Sequence, residues 1–276
     1  TCGDILCRGF LIGGTAGRTT LNGEGIQHQD GHSQVVANTY PNLKSYDPSF
    51  AYELVMIVRE GIYRMYERQE NIFYYITAYN ENYRMPAMTK DRVSQEGILA
   101  GAYHFYSTES EKKSQVHLLG SGSIMQQVLA AKKRLESFGF EVSIWSVTSY
   151  NELYREAEEC VRQNRLNPLK KQKTPYVQRL FAKTTGVYVS ASDYMKSLAN
   201  SITPWMPSNY FVLGTDGYGL SETREDLRNY FEISSDYICH AALVGLFRTK
   251  KVSAAEFKRF AKDLKIKPNK PSPATR

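Results

Sequence analysis

The run NIFYYITAY at residues 71–79 constrains the fold most. It is apolar, β-branched and aromatic along its whole length, so a strand built from it has no face to offer to water. Such a strand belongs in the middle of a sheet covered on both sides. The rest of the chain supplies the cover, because strand-like and helix-like segments alternate. Further strands are expected at 10–12, 43–47, 102–106, 115–119, 141–147, 186–189 and 210–213. Helices are expected at 49–67, 124–138, 150–163, 191–201, 235–248 and 253–264. In the first helix Phe50, Leu54, Ile57, Val58 and Ile62 recur at helical spacing, and Ser49 is placed to cap it. The expected fold class is α/β, with parallel sheets and helices on both faces.

Two units are expected. The hydrophilic stretch 107–114 reads as a linker between residues 1–106 and 115–264, and 86–95 is polar and turn-rich. The tail 265–276, rich in proline and lysine, reads as disordered. The turn GSGS at 120–123 matches no phosphate-loop spacing, so it reads as a strand-to-helix turn with Ser123 as cap. In GTDGYGLSETRE (214–225), turn chemistry accounts for Asp216, and Ser221 or Thr223 can cap the next helix. Asn80, Glu81 and Asn82 follow the central strand directly. They are either a polar turn or part of a ligand crevice at the strand's carboxyl end.

Composition excludes several classes. No apolar run approaches the roughly 20 residues of a membrane span, so no membrane partner is expected. The net charge of +7 is concentrated in 162–173 and beyond Lys258. No nucleic-acid-binding motif accompanies it, so no nucleic-acid partner is expected. Cys2, Cys7, Cys160 and Cys239 form neither a CxxC pair nor a metal-ligand array. They read as free thiols in a reducing compartment. The opening TCGDILCRGF has no initiator Met and no signal- or transit-peptide pattern, and is expected to mark a fragment or a processed chain.

The segment with chemistry in it is GRTTLNGEGIQHQDGHSQ, residues 17–34. Its apolar content is little more than Leu21 and Ile26, so it reads as a loop carried on a scaffold. His28 and His32 are the groups best suited to proton transfer near neutral pH, and Asp30 lies between them to orient or charge-balance either ring. A Gly-rich polar loop without function is the alternative. Zinc ligation is disfavoured, because Gln29 stands where a zincin has its glutamate and Gly25 and Gly31 oppose a helix. His104, His117 and His240 lie in apolar surroundings and read as packed or surface residues.

FLIGGTAGRTTLNGEGIQHQDGHS (10–33), SYDPSFAYE (45–53), YYITAYNENYRMPAM (74–88), LLGSGSI (118–124), VTSYNEL (147–153) and LGTDGYG (213–219) occur in one order across nearly the whole chain. Together they resemble the homodimeric-type pyruvate dehydrogenase components, of the transketolase-like thiamine diphosphate family. The resemblance implies that 1–106 is the C-terminal half of a pyrimidine-binding domain and 115–264 a transketolase C-terminal-like domain. It implies thiamine diphosphate and Mg2+ in the complete enzyme. The diphosphate motif (GDG followed by N) and the ring-activating glutamate are missing from this chain, which alone is then expected to be inactive. GDI at Gly3 and TDG at Thr215 do not replace the motif.

The implied reaction is oxidative decarboxylation of pyruvate, with acetyl transfer to the lipoyl group of a dihydrolipoyl acetyltransferase. The implied setting is a homodimer in bacterial cytoplasm or mitochondrial matrix. His28 matches the family's substrate-side histidine, a catalytic and substrate-binding residue, with Asp30 and His32 beside it in the substrate channel. Gln29 replaces a usual Glu and Gln34 a usual His. The alternatives are another transketolase-like 2-oxo-acid dehydrogenase, a transketolase, or a non-catalytic dimerisation or docking module. In the last case the basic strip 162–173 would meet acidic lipoyl domains.

Overall fold

The computed structural model describes residues 1–88, 95–108 and 115–275. Most of the expected linker and most of the turn-rich stretch at 86–95 lie outside these residues. The first sheet has three parallel strands, β1 (Phe10–Gly13), β2 (Leu43–Tyr46) and β3 (Phe73–Thr77), in the order β1-β3-β2. The hydrophobic run thus takes the central place that its two apolar faces require.

The short helix α1 (Ser33–Ala37) precedes β2, and α2 (Ala51–Ile62) follows it. The helix expected at 49–67 is corrected at both ends. Its cap is Phe50 rather than Ser49, and Glu53 Oε2 accepts from the amides of Ser49 (2.6 Å) and Phe50 (3.1 Å). Beyond Ile62 the chain winds into one π turn, Tyr63–Glu67.

After α3 (Gln95–Ala100) come β4 (Ala102–Ser107), β5 (Val116–Gly120), α4 (Met125–Ser137), β6 (Val142–Val147), α5 (Tyr150–Leu166), α6 (Tyr176–Phe181), β7 (Val187–Ala191), α7 (Lys196–Asn200) and β8 (Tyr210–Leu213). Helices α8 (Arg224–Tyr230), α9 (Ser235–Arg248) and α10 (Ala254–Ala261) follow. The second sheet has the order β4-β6-β5-β7-β8 and is parallel except at β4, which runs antiparallel to β6. The strand at 102–106 was expected in the first unit and belongs instead to the second sheet. Alternation shows that a segment is a strand, but not which edge it joins.

Helix α4 buries Met125, Val128, Ala131 and Leu135 at helical spacing against this sheet. Helix α9 is buried over most of its length, and its Gly245 lets it lie directly on Val187. Glu53 joins the two units, because it also accepts from Tyr103 (2.5 Å) and Ser146 (2.6 Å) of the second sheet.

Two further expectations are corrected. The helix expected at 191–201 shrinks to α7, because β7 continues to Ala191 and residues 192–195 turn away to hold the first unit. The tail is docked rather than loose as far as Thr275. Lys270 donates to the carbonyls of Asn229 (3.2 Å) and Tyr230 at the end of α8, and lies 3.4 Å from Glu232. Pro273 is buried, with its carbonyl against Gly217. A cation at the carbonyl end of a helix is a favourable partner, and composition does not reveal it. The cysteines are free thiols, and no helix among the described residues is long and apolar enough to cross a membrane.

Candidate active site

The loop at 17–34 is only partly a surface loop. Residues 16–21 are buried, contrary to the expectation from their polarity. They can be buried because most of their polar groups find partners, Arg18 Nε being an exception among the described residues. Ala16 continues the first sheet with a bond from its amide to Ala78 O (2.9 Å). Gly17, at φ +88°, leaves room for Asp193, whose carboxylate any side chain there would strike.

Asp193 is wholly buried and accepts from the Thr19 amide (3.0 Å), the Thr19 hydroxyl (2.7 Å) and the Thr20 hydroxyl (2.8 Å). Burial raises its pKa, against the Arg228 charge and these donors. Thr20 also meets the Ser123 hydroxyl at 2.6 Å. Ser123 is therefore a tie to the loop and not the cap of α4, whose capping residue is Ile124.

Arg18 is 1 % exposed. Its Nη1 donates to the carbonyls of Thr215 and Gly217, and its Nη2 lies 2.9 Å from His32 Nδ1. Gly31 lies flat against this guanidinium, where a Cβ would collide with it. Gln29 is buried, and its Oε1 accepts from the Leu220 amide (2.8 Å). Gln34 is buried too, its side-chain amide donating to Tyr46 O (3.1 Å) and its backbone carbonyl accepting from Asn151 (2.7 Å). Both departures from the resembled pattern thus serve as architectural ties in this chain.

The three singled-out residues are placed differently from one another. Asp30 turns to the backbone, accepting from the amides of His32 (3.0 Å) and Ser33 (2.9 Å) and from the Ser33 hydroxyl. It opens α1 and is bonded to neither ring. His32 is half-buried, tied to Arg18, with its ring 6.1 Å from that of Tyr218. Burial lowers its pKa and the Arg18 charge lowers it further, against Asp30. His28 ends the 3-10 turn Ile26–His28, is exposed, and makes no side-chain hydrogen bond among the described residues.

Neighbouring segments close the frame. Glu81 forms a two-pronged pair with Arg228 of α8, and Asn80 accepts from Arg224 (3.5 Å). Asn80 and Glu81 are therefore inter-unit ties, while Asn82 is exposed. Asp216 accepts from the Lys196 amide (2.9 Å), and Thr223 caps α8 through the Asp226 amide. His104 and His117 pack on Trp145, and His240 packs on Phe257.

Chemically, this loop offers an exposed imidazole, His28, with no side-chain hydrogen bond among the described residues, and a second one, His32, held by a buried arginine. Among the described residues no group of three His, Cys, Asp or Glu side chains is placed to hold a metal. Sequence reasoning missed Arg18, Thr19, Thr20 and Asp193. A signal existed for Asp193, the single carboxylate between Glu159 and Asp216, just past a buried strand's carboxyl end.

Comparison with known proteins gives a consistent result. Residues 1–86 match the pyruvate dehydrogenase E1 component middle domain, and residues 101–234 match the transketolase-like TK C-terminal domain, a span that opens just before β4. The pyruvate dehydrogenase E1 component of Pseudomonas aeruginosa is 50% identical over 246 residues, which is 88% of this chain and 28% of that protein. That of Escherichia coli K12 is 46% identical over 265 residues, 94% of this chain and 29% of that protein. The chain thus spans under a third of the curated relatives it matches. Among solved structures, Campylobacter jejuni transketolase aligns with a TM-score of 0.61 at 18% identity, over 85% of this chain and 31% of that one. Leishmania mexicana transketolase gives 0.60 at 16%, over 95% and 31%. These two likenesses establish a transketolase-like fold. With its E1 middle domain followed by a transketolase-like C-terminal domain, the chain belongs to the pyruvate dehydrogenase E1 component family.

Proposed function

We propose that this chain forms the substrate-facing part of an enzyme that decarboxylates pyruvate and passes the acetyl unit to the lipoyl group of a dihydrolipoyl acetyltransferase. The observation that carries this reading is the contrast within one loop. Arg18, Thr19, Thr20, Gln29 and Gln34 are buried and bonded, while His28 stands exposed with its ring unengaged. A frame this rigid around one unengaged imidazole is what a positioned acid, base or anion-binding group requires. His28 binds the substrate's carboxylate or the oxygen that gains charge at the keto carbon, and His32 lies beside it in the channel. Asp30 acts through the backbone by holding the start of α1.

Thiamine diphosphate, on which this family depends, supplies the electron sink and is held with its Mg2+ by residues outside this chain. The complete enzyme assembles as a homodimer. Val55, Ile62, Tyr63 and Tyr66, exposed on and just beyond α2, support further assembly on that face.

The test is His28→Ala in the complete enzyme carrying this sequence. A fall in kcat/KM for pyruvate of about 100-fold or more is expected, with cofactor affinity retained. Undiminished pyruvate turnover would refute the role of His28. Turnover of 2-oxoglutarate or xylulose phosphate in preference to pyruvate would refute the substrate.

A further inference from the structure

We infer that Arg18 is a positioning residue that holds the His32 ring in one tautomer, with Nδ1 bare and the proton on Nε2. A guanidinium has five N–H donors and no acceptor. Its Nη2 lies 2.9 Å from His32 Nδ1, so Nδ1 must accept. A neutral imidazole that accepts at Nδ1 carries its proton on Nε2.

Arg18 cannot turn aside to relieve the ring. Its Nη1 is bound to the carbonyls of Thr215 and Gly217, its side chain is buried, and Gly31 abuts its guanidinium. The charged and titratable groups around the pair are Asp30 on the same loop, Asp193 after β7, and Asp216 and Tyr218 after β8. Among the described residues none of these is hydrogen-bonded to the His32 ring. The Asp30 carboxylate turns instead to the His32 amide and to Ser33, with Tyr75 beside it.

The consequence deepens the function proposed above, on which its catalytic meaning rests. With Nδ1 engaged and Nε2 protonated, His32 has no free lone pair and cannot serve as a general base. It is a fixed hydrogen-bond donor for an oxygen of the substrate. Proton transfer then falls to His28, whose ring is unengaged. Two histidines four residues apart thus take different roles, set by a buried arginine ten residues upstream of the first.

The test is long-range proton–nitrogen correlation NMR on the 276-residue chain labelled with nitrogen-15 at histidine, with His32 assigned by its loss in His32→Gln. The expected spectrum at pH 7 has a protonated Nε2 and a bare Nδ1 at His32. The expected titration midpoint lies below that of an ordinary exposed histidine. In Arg18→Met the lock is removed, so the tautomer mixture broadens and the midpoint rises. A wild-type His32 with its proton on Nδ1, or doubly protonated at pH 7, would overturn the inference. So would an Arg18→Met protein with native circular dichroism and an unchanged tautomer and midpoint. If that variant does not fold, the wild-type spectrum decides alone. None of these readouts uses pyruvate, so a failure of the tautomer assignment is distinguishable from a failure of the substrate reading.

Discussion

His117 sets a pH dependence whose size follows from its surroundings. The ring is 2 % exposed and stacked on Tyr188 with centroids 4.7 Å apart. Nδ1 accepts from Trp145 Nε1 (3.4 Å), and Nε2 faces the Thr185 carbonyl (3.2 Å). A second proton would place Nδ1–H against the indole N–H, two donors facing each other without water. Burial depresses the pKa to about 4, against the Thr185 carbonyl, from an ordinary 6.5. The sign follows from proton counting. Between pH 4 and 6.5 the unfolded chain binds the proton and the folded chain does not. The stability linked to His117 is therefore full above pH 6.5 and is lost as the pH falls toward 4. The depression corresponds to about 3 kcal/mol, at about 1.4 kcal/mol per tenfold change.

In His117→Phe, which keeps an aromatic ring against Tyr188, this loss disappears. Urea unfolding at pH 4, 5, 6 and 7 should then show the wild type losing about 3 kcal/mol more than the variant over that range. Asp47 works in the opposite sense. Burial pushes it up to about 6 against the Tyr79, Thr77 and Ser121 donors. Between about pH 4 and 6 the folded chain holds the extra proton, so the stability linked to Asp47 falls as the pH rises. Asp47→Asn should steepen the gain of stability with pH where His117→Phe flattens it. Stability–pH curves of wild type and His117→Phe that run parallel within about 0.5 kcal/mol would refute the reasoning for His117.

Two further outcomes concern the frame of the site. Gly31→Ala should lower stability by about 1–3 kcal/mol, because its Cβ collides with the Arg18 guanidinium. Gly14→Ala, where the added atom meets nothing within 4 Å, is the control, and thermal melts of the two variants check the pair. Deleting residues 266–276 removes Lys270 from the end of α8 and Pro273 from Gly217. Hydrogen exchange should then quicken about tenfold or more at the amides of 214–220, and unchanged protection there would show that the tail does not brace the loop.

Much of the fold was legible because it rests on local pattern. The run at 71–79 read as a central strand from its two apolar faces, and β3 spans Phe73–Thr77 of it. The βαβ succession of β5, α4 and β6 read from alternation and turn residues. What escaped depends on partners distant in sequence. The π turn at 63–67 keeps the apolar spacing of a helix while changing its hydrogen-bond ring. β4 is a strand by composition, yet its edge in the second sheet is fixed by pairing with β6. The same holds for the site. His28, Asp30 and His32 were visible as chemistry-bearing types in a Gly-rich segment. Arg18, Thr19 and Thr20 looked like ordinary loop polarity, because Asp193, which justifies burying the threonines, lies over 170 residues away. Asp30 was read as a partner of the rings, but an Asp just before a helix start has its own amides nearer to hand.

The most direct measurement of the central claim is pyruvate decarboxylation by a chimera. In it this sequence replaces the matching segment of the Pseudomonas aeruginosa relative, with His28 intact or changed to Ala. The account predicts pyruvate turnover within about tenfold of the parent when His28 is present, and a loss of about 100-fold or more with Ala. A chimera that folds and binds thiamine diphosphate but turns over no pyruvate with His28 in place would contradict it.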